Sequence, residues 1–204
     1  MTYEENKQVF IRLVGTRRFD MEETRRPNFW VQDDGTQVRV LDETAPKSLR
    51  IENPVRTILA FVPMDGSTGI FRNMPPIVRD EVPFRYQWYN RGNYEERTAG
   101  ACDCLLLDSK WRFLELKTET STQDPNQATQ QREKAMLQLA RTITFFREQA
   151  EVQQVDVSPI EAVMAFPSRF PAEKAANFNR GPRFFKLFKA RLNEVNTDVA
   201  YRLD

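Results

Sequence analysis

The chain has 204 residues, a net charge of +1, 40% hydrophobic residues and no histidine. This length and hydrophobic content suit one well-buried α/β domain over residues 1–204 and are small for two. The lack of histidine excludes Ser-His-Asp and Cys-His catalysis and the common zinc sites, so any chemistry must come from carboxylates, lysine, arginine or a metal ion.

The chain predicts neither a membrane segment nor a secreted protein. No apolar run approaches the roughly 18 residues of a membrane-spanning helix, and the first residues, MTYEENKQ, lack the basic and then apolar pattern of a signal peptide. We therefore expect a cytoplasmic location. Cys102 and Cys104 lie on one predicted strand with both side chains facing away from Asp103, and we interpret them as small buried apolar groups rather than a disulfide or a metal pair.

The N-terminal part predicts a helix, a hairpin and a buried strand. Apolar residues recur on one side from Glu4 to Val14, as in an amphipathic helix. The apolar runs 29–31 and 38–40 flank Asp33-Asp34-Gly35, which predicts a β-hairpin. The run from Val55 to Val62, followed by a proline, predicts a buried strand.

The most informative segment is CDCLLLDSKWRFLELKTET, at positions 102–120. Two apolar runs flank a short polar turn at Ser109, and a three-residue turn there would place Asp103 directly opposite Glu115. Side chains alternate along a strand, so Lys117 would lie on the same face as Glu115. The segment therefore predicts a β-hairpin with two adjacent carboxylates and a lysine at its open end.

Adjacent carboxylates repel each other when both are ionised, so such a pair needs a shared proton or a cation. Oxygen ligands in a partly hydrated site suit Mg²⁺ or Mn²⁺ better than Zn²⁺. A divalent ion at Asp103 and Glu115 would activate a water molecule and neutralise charge on a phosphate, while Lys117 would orient the nucleophile or stabilise the phosphorus centre. The hairpin therefore predicts a phosphodiester-cleaving site.

A long helix and a strand follow the hairpin. Asp124 and Pro125 are helix start signals, and residues 126–149 contain no Gly or Pro and repeat apolar residues every three or four positions. The short apolar run Ile160–Phe166, ended by Pro167, predicts a buried strand. The predicted order is strand, strand, helix, strand.

With this order, Asp103 and Glu115-Leu116-Lys117 resemble the PD-(D/E)XK nuclease superfamily over roughly residues 100–167. The resemblance implies an α/β fold with a restriction endonuclease-like core, in which helices flank a central mixed sheet. It implies that Asp103 and Glu115 hold the metal and that Lys117 serves catalysis. It also implies a metal contact from the backbone carbonyl of Leu116.

The resemblance further implies an acidic residue from a helix ahead of the sheet. Glu96 is favoured because it immediately precedes the motif. The irregular segment 64–83 is long for a compact domain, which indicates function, mobility or a missed element. Glu119 continues the alternation of the second strand, and Gln138 is on the helix that often presents a polar residue to the site in this family. The other candidates for the upstream acid are Glu4, Glu5, Glu81 and Glu95.

The segment from Arg169 to Arg191 carries seven basic residues, one acid and five phenylalanines. Such a segment can follow a phosphate backbone, with an exposed aromatic available for base stacking. The alternative is an amphipathic helix over about 182–195 that buries its apolar residues, Phe185 and Leu187 included, and leaves its charges solvated. The residues assigned to nucleic-acid contacts are Arg180, Arg183, Lys186 and Lys189.

These observations predict a Mg²⁺- or Mn²⁺-dependent nuclease, with DNA as the favoured substrate. A homodimer would fit a double-strand cutter. One alternative is a salt-bridge ladder in which Lys117 merely pairs with Glu115 or Glu119. Another is a catalytically inactive protein of nuclease fold that binds nucleic acid or a protein partner. A sugar hydrolase would leave Lys117 and the basic segment without a role.

Overall fold

The computed structural model describes residues 1–72, 100–171 and 180–204. The predicted first helix, first hairpin, central hairpin, long helix and following strand are all present within these ranges. The described elements, in chain order, are α1 (Tyr3–Val14), β1 (Glu22–Thr24), β2 (Asn28–Asp33), β3 (Val38–Leu41), β4 (Ser48–Glu52), β5 (Leu59–Pro63), β6 (Cys104–Leu107), β7 (Trp111–Leu116), α2 (Pro125–Gln153), β8 (Ile160–Phe166), α3 (Arg180–Phe188), β9 (Ala190–Asn196) and β10 (Tyr201–Arg202).

The larger sheet has six strands in the order β1-β5-β6-β7-β8-β9. Neighbouring strands are antiparallel from β1 to β7, whereas β7, β8 and β9 are parallel. The parallel step from β7 to β8 passes through α2, because parallel neighbours need a long crossover. The chain is therefore an α/β protein with a mixed sheet, as predicted.

A smaller sheet has four strands in the order β10-β4-β2-β3. The predicted hairpin is present as β2 and β3, in which Asp33 pairs with Val38 at the turn. Strands β4 and β10 were not predicted. They pair in parallel, with Tyr201 opposite Ile51 and Arg202 opposite Glu52.

Alternating side chains give the larger sheet an apolar cluster on each face. Leu105 and Phe113 belong to the cluster with residues of α1 and α2, whereas Leu106 and Leu114 pack with residues of the smaller sheet. Each fully buried side chain of this size contributes roughly 1.5–3 kcal/mol. Helices thus cover one face and the smaller sheet covers the other, which refines the expectation of a sheet flanked by helices.

The central hairpin has the predicted register. The turn is closed by Asp108, whose carboxylate accepts a hydrogen bond from the backbone N–H of Lys110 at 2.8 Å. At the open end, the N–H of Asp103 donates to the carbonyl of Leu114 at 3.0 Å, which continues the ladder beyond β6. The paired residues are Cys104 with Leu114, Leu105 with Phe113, Leu106 with Arg112, and Leu107 with Trp111.

Helix α2 begins at the predicted signals. The carboxylate of Asp124 accepts a hydrogen bond from the N–H of Asn126 at 2.8 Å, and Pro125 is the first helical residue. The helix ends at Gln153, four residues beyond the predicted 149, where Gln154 takes the left-handed conformation with φ of 53°. Its buried face includes the predicted Ala135, Leu139 and Phe146.

The predicted helix over 182–195 is wrong beyond residue 188. Helix α3 ends at Phe188, and Lys189 has a positive φ of 50°. The following residues form β9, parallel to β8 from Ala190 opposite Ile160 to Asn196 opposite Phe166. Pairing with a buried strand satisfies the backbone groups of this segment and overrides its helix propensity.

The apolar face of α3 also differs from the prediction. Phe184 and Phe188 are buried, but Phe185 and Leu187 are 55% and 37% exposed. Residues four apart share a helix face, so Phe184 and Phe188 point inward together. Phe185, one position further on, is directed away from them.

Two smaller expectations also change. The strand predicted from Val55 begins only at Leu59, because residues 53–57 form a turn in which the Asn53 side chain accepts from the N–H of Thr57 at 3.1 Å. Cys102 and Cys104 are free and buried, as predicted, but they lie in different apolar clusters. The predicted alternation of side chains does not extend to Cys102, because β6 begins only at Cys104 and Cys102 lies before the strand.

Across the described ranges, none of the helices combines the length and the apolar character that a membrane span requires.

Candidate functional site

The predicted carboxylate pair is buried at the open end of the central hairpin. Asp103 precedes β6 and is 6% exposed, and Glu115 in β7 is 0% exposed. The carboxylate of Asp103 accepts a hydrogen bond from the backbone N–H of Leu116, the residue after Glu115. This bond fixes the Asp103 side chain against the strand that carries Glu115.

Lys117 and Gln138 complete the cluster that we call the carboxylate site, namely Asp103, Glu115, Lys117 and Gln138. The Lys117 ammonium donates to Oε1 of Glu115 and, at 3.0 Å, to Oε1 of Gln138. The Gln138 amide in turn donates to the carbonyl of Ala101 at 3.2 Å. Gln138 thus holds the lysine between α2 and the hairpin.

A loop after β5 brings Asp65 to the carboxylate site. The N–H groups of Met64 and Asp65 donate to the carbonyl of Asp103, at 2.8 and 3.4 Å. Glycine is required beside this loop, because a Cβ at Gly69 would lie 2.5 Å from the Asp65 carbonyl oxygen. Close packing by a residue without a side chain therefore fixes the position of Asp65.

The tip of the β2–β3 hairpin also approaches the site. The N–H of Ser67 donates to the carbonyl of Thr36 at 3.1 Å, and a Cβ at Gly66 would lie 2.7 Å from the same oxygen. The contact places Asp33, the last residue of β2, near Glu115. The charges of Asp33 and Asp65 both raise the pKa of Glu115.

Burial dominates the electrostatics of the carboxylate pair. Desolvation raises the pKa of Glu115 to about 7, against the opposing effect of Lys117. Desolvation and the charge of Glu115 raise the pKa of Asp103 well above its usual value. Burial lowers the pKa of Lys117, but the charges of Glu115 and Asp103 outweigh burial and raise it overall, so the amine stays protonated at neutral pH.

One carboxylate oxygen of the site has no hydrogen-bond donor among the described residues. Oε2 of Glu115 is buried and forms no hydrogen bond with any described residue. An unpaired buried acceptor costs about 1–3 kcal/mol, more when it is charged. A divalent cation would satisfy this oxygen and neutralise the excess of acids.

The residues fit Mg²⁺ or Mn²⁺ with water in the remaining positions. Over residues 1–72, 100–171 and 180–204, no three or more His, Cys, Asp or Glu side chains are already arranged to hold a metal. Mg²⁺ keeps several waters and is usually held by only one or two carboxylates, so Asp103 and Glu115 are a sufficient pair.

The other predicted acids that the structure describes lie away from the carboxylate site. Glu119 is exposed and forms an ion pair with Lys47. Glu5 caps α1 through Thr2, and Glu4 is exposed on the same helix. The start of α1 lies at the turn end of the hairpin, where the Asn6 amide donates to the carbonyl of Asp108 at 2.8 Å. Glu81, Glu95 and the favoured Glu96 lie outside the described residues.

The four basic residues assigned to nucleic-acid contacts do not share one environment. Arg180 is 6% exposed and lies 3.6 Å from the Glu133 carboxylate, so it belongs to the interior rather than to a phosphate-binding surface. Arg183, Lys186 and Lys189 are exposed on or just after α3. The exposed Phe185 lies among them.

Sequence reasoning missed Asp33 and Asp65. Asp65 lies two residues beyond the end of the buried strand β5, and Asp33 is the last residue of β2, so both acids lie at or near strand ends. An acid at the end of a predicted strand was therefore the sequence signal that could have identified both residues. Their convergence depends on the contact between two loops, which no local pattern encodes.

Comparison with family models, curated proteins and solved structures gives no match to this chain. The residues of the carboxylate site are therefore the evidence for what this protein does.

Proposed function

We propose that this protein is a Mg²⁺- or Mn²⁺-dependent nuclease that hydrolyses phosphodiester bonds through Asp103, Glu115 and Lys117. The supporting observation is a buried pair of carboxylates, one with an unpaired oxygen, beside a protonated lysine. The order β6, β7, α2, β8 agrees with the order in the PD-(D/E)XK resemblance. We accordingly propose a restriction endonuclease-like core.

Asp103 and Glu115 would hold the metal ion. Because Lys117 occupies Oε1 of Glu115, the unpaired Oε2 is the oxygen left for a cation. The backbone carbonyl of Leu116 is a further proposed ligand. When bound, the ion supplies an activated water and neutralises charge on the phosphate.

Lys117 acts as a fixed cation in this proposal. Its raised pKa excludes it as a general base in the state described, because it carries its proton at neutral pH. Gln138 and Glu115 hold the ammonium in place, so it can orient the attacking water or stabilise the charge that develops on phosphate. Burial strengthens this effect, because a fixed charge in a site without bulk water acts more strongly than one in solution.

The exposed residues of α3 support nucleic acid as the substrate, with DNA favoured. Arg183, Lys186 and Lys189 offer positive charge to phosphates, and Phe185 offers a ring for stacking. We also propose a cytoplasmic location. Assembly as a homodimer is a further proposal, since a dimer would fit an enzyme that cuts both strands.

The direct bond between Lys117 and Glu115 also favours the second candidate, a binding protein without catalysis. In that protein the lysine serves only to neutralise Glu115. The two candidates can be distinguished experimentally, since only the nuclease cleaves its substrate and needs a divalent cation to do so.

Cleavage of plasmid DNA with Mg²⁺ tests the proposal in wild type, Lys117→Ala and Lys110→Ala. Lys110 is the matched control, because it is a half-buried lysine of the same hairpin whose contacts are Glu161 and Asp204. We expect Lys117→Ala to lose roughly 10²-fold or more in rate, a loss typical of one fixed electrostatic group, and Lys110→Ala to cleave normally. Equal activity of Lys117→Ala and wild type would refute the role of Lys117. Binding of DNA by wild type without cleavage would favour the second candidate.

A further inference from the structure

An arginine-lined cavity of about 910 Å³ lies beside the loop that carries Asp65. Arg17, Arg18 and Arg72 line it, and Asp20 is the acid among the described lining residues. Three positive charges against one leave a local excess of two. A cavity of this size and charge suits an anion rather than an apolar ligand.

Contacts with the rest of the protein hold Arg17, Arg72 and the backbone between α1 and β1 in place. Phe19 packs edge-on against the buried Phe10, with ring centroids 5.2 Å apart, which anchors the segment between α1 and β1. The Arg17 guanidinium lies 5.2 Å from the ring centroid of Phe145. Arg72 donates to the carbonyl of Ser67 at 3.0 Å, while Arg18 is exposed.

The cavity and the carboxylate site share one stretch of backbone. Gly69 lines the cavity and packs on Met64 and Asp65, since a Cβ at Gly69 would lie 2.6 Å from the Met64 carbonyl oxygen. The N–H of Met64 donates directly to the carbonyl of Asp103. Two successive contacts therefore connect the wall of the cavity to a residue of the carboxylate site.

We infer that the cavity binds a backbone phosphate of the same nucleic-acid strand that is cleaved at the carboxylate site. The inference rests on the proposed function. Arginine suits this role because its planar group donates two parallel hydrogen bonds to phosphate oxygens. The acids at the carboxylate site repel a negatively charged nucleic-acid strand. The arginines of the cavity offset this repulsion.

The test measures binding of a short fluorescein-labelled DNA duplex by anisotropy, in EDTA so that the substrate stays intact. The test variant is Arg18→Gln/Arg72→Gln. The matched control is Arg202→Gln, an exposed arginine on β10, whose neighbour Tyr201 donates to Glu161 near the turn end of the hairpin. We expect the test variant to bind about tenfold more weakly and its log K against log[salt] slope to shrink by about 2.

The outcomes separate this inference from the nuclease proposal. If the test variant and Arg202→Gln bind with equal affinity and salt slope while wild type cleaves DNA, the cavity inference is refuted and the nuclease stands. If the test variant alone loses affinity but wild type never cleaves, the cavity inference stands and the nuclease fails. If wild type binds no DNA in EDTA but cleaves it with Mg²⁺, the cavity inference is refuted and the nuclease stands. If wild type neither binds nor cleaves DNA, both are refuted.

Discussion

The two ends of the central hairpin both bury charges, but only at the turn end does every carboxylate have a cation partner. At the turn end, Arg112 is 1% exposed and lies within 3.3 Å of three carboxylates. Lys110 adds a second cation, and the Tyr201 hydroxyl donates to Glu161 at 2.7 Å. The three carboxylates at this end are those of Asp108, Glu161 and Asp204.

At the open end, one cation serves several acids. Lys117 pairs with Glu115, while Asp103, Asp65 and Asp33 add further negative charge around it. The pKa of Glu115 rises to about 7 because of burial. The pKa of Asp204, at the turn end, falls to about 2 through its hydrogen bond with Lys110.

The contrast shows how one hairpin can serve two purposes. Buried charges with matched partners stabilise a fold when both remain, and removing one partner is costly. Buried acids in excess destabilise a fold unless a ligand neutralises them, and such strain is typical of functional sites. We therefore interpret the turn end as structural and the open end as functional.

Breaking the ion pairs of the turn end should have the largest effect on stability. We expect Arg112→Leu to lower the free energy of unfolding by about 3–5 kcal/mol, because it leaves buried carboxylates unpaired. The same change at the open end, Lys117→Leu, should cost less than half as much at pH 6, since Glu115 then keeps its proton. Urea denaturation measures both, and equal losses would contradict the comparison.

The pH dependence of stability should come from the open end. A carboxyl with a raised pKa holds its proton in the folded state after the unfolded state has lost it, so stability falls as the pH rises from 4.5 to about 7. In EDTA we expect wild type to lose on the order of 2–3 kcal/mol between pH 5 and 8. The chain has no histidine, so this window is free of histidine titration. A stability that rises with pH over this window would contradict the account.

Among the described residues, Glu115 and Glu161 are the buried glutamates, and replacing each with glutamine should change the free energy of unfolding in opposite directions. At pH 8 without divalent metal, Glu115→Gln should raise the free energy of unfolding by about 1–2 kcal/mol, because it removes a desolvated charge. Glu161→Gln should lower it by about 1–2 kcal/mol, because it weakens hydrogen bonds with charged groups. Thermal melts of both variants check the signs, and the comparison fails if the signs agree.

The smallest effect on stability is expected at Glu119, which lies close to Lys117 in the sequence but pairs with Lys47 on the surface. The Lys47–Glu119 pair is exposed, so Glu119→Gln should change the free energy of unfolding by less than about 0.5 kcal/mol. We also expect normal Mg²⁺-dependent cleavage. A loss of cleavage would place Glu119 in the site after all.

The sequence predicted those features that local periodicity determines. The apolar runs around Ser109 were sufficient for the register of the central hairpin, and this register brought Asp103 to Glu115. The start of α2 was equally readable, because Asp124 and Pro125 are local signals. Strand β4 also carried an alternation, with Leu49 and Ile51 buried around the exposed Arg50, and could have been predicted.

The other features that were missed depend on long-range contacts. Nothing local indicates that residues 190–196 leave the helix and pair with β8. The burial of Arg180 needs Glu133 from α2, and the approach of Asp33 to the site needs the contact between Thr36 and Ser67. Tertiary pairing decides such positions, so the carboxylate site was only partly predictable.

The most direct test of a cation at the open end is a Mn²⁺ titration followed by electron paramagnetic resonance of the free ion. Wild type, Glu115→Gln and Glu161→Gln would be titrated at pH 7.5. We predict that wild type and Glu161→Gln take up Mn²⁺ and that Glu115→Gln binds at least tenfold more weakly, because it loses a charged ligand. Equal uptake by Glu115→Gln and wild type, or no uptake by wild type, would contradict the account.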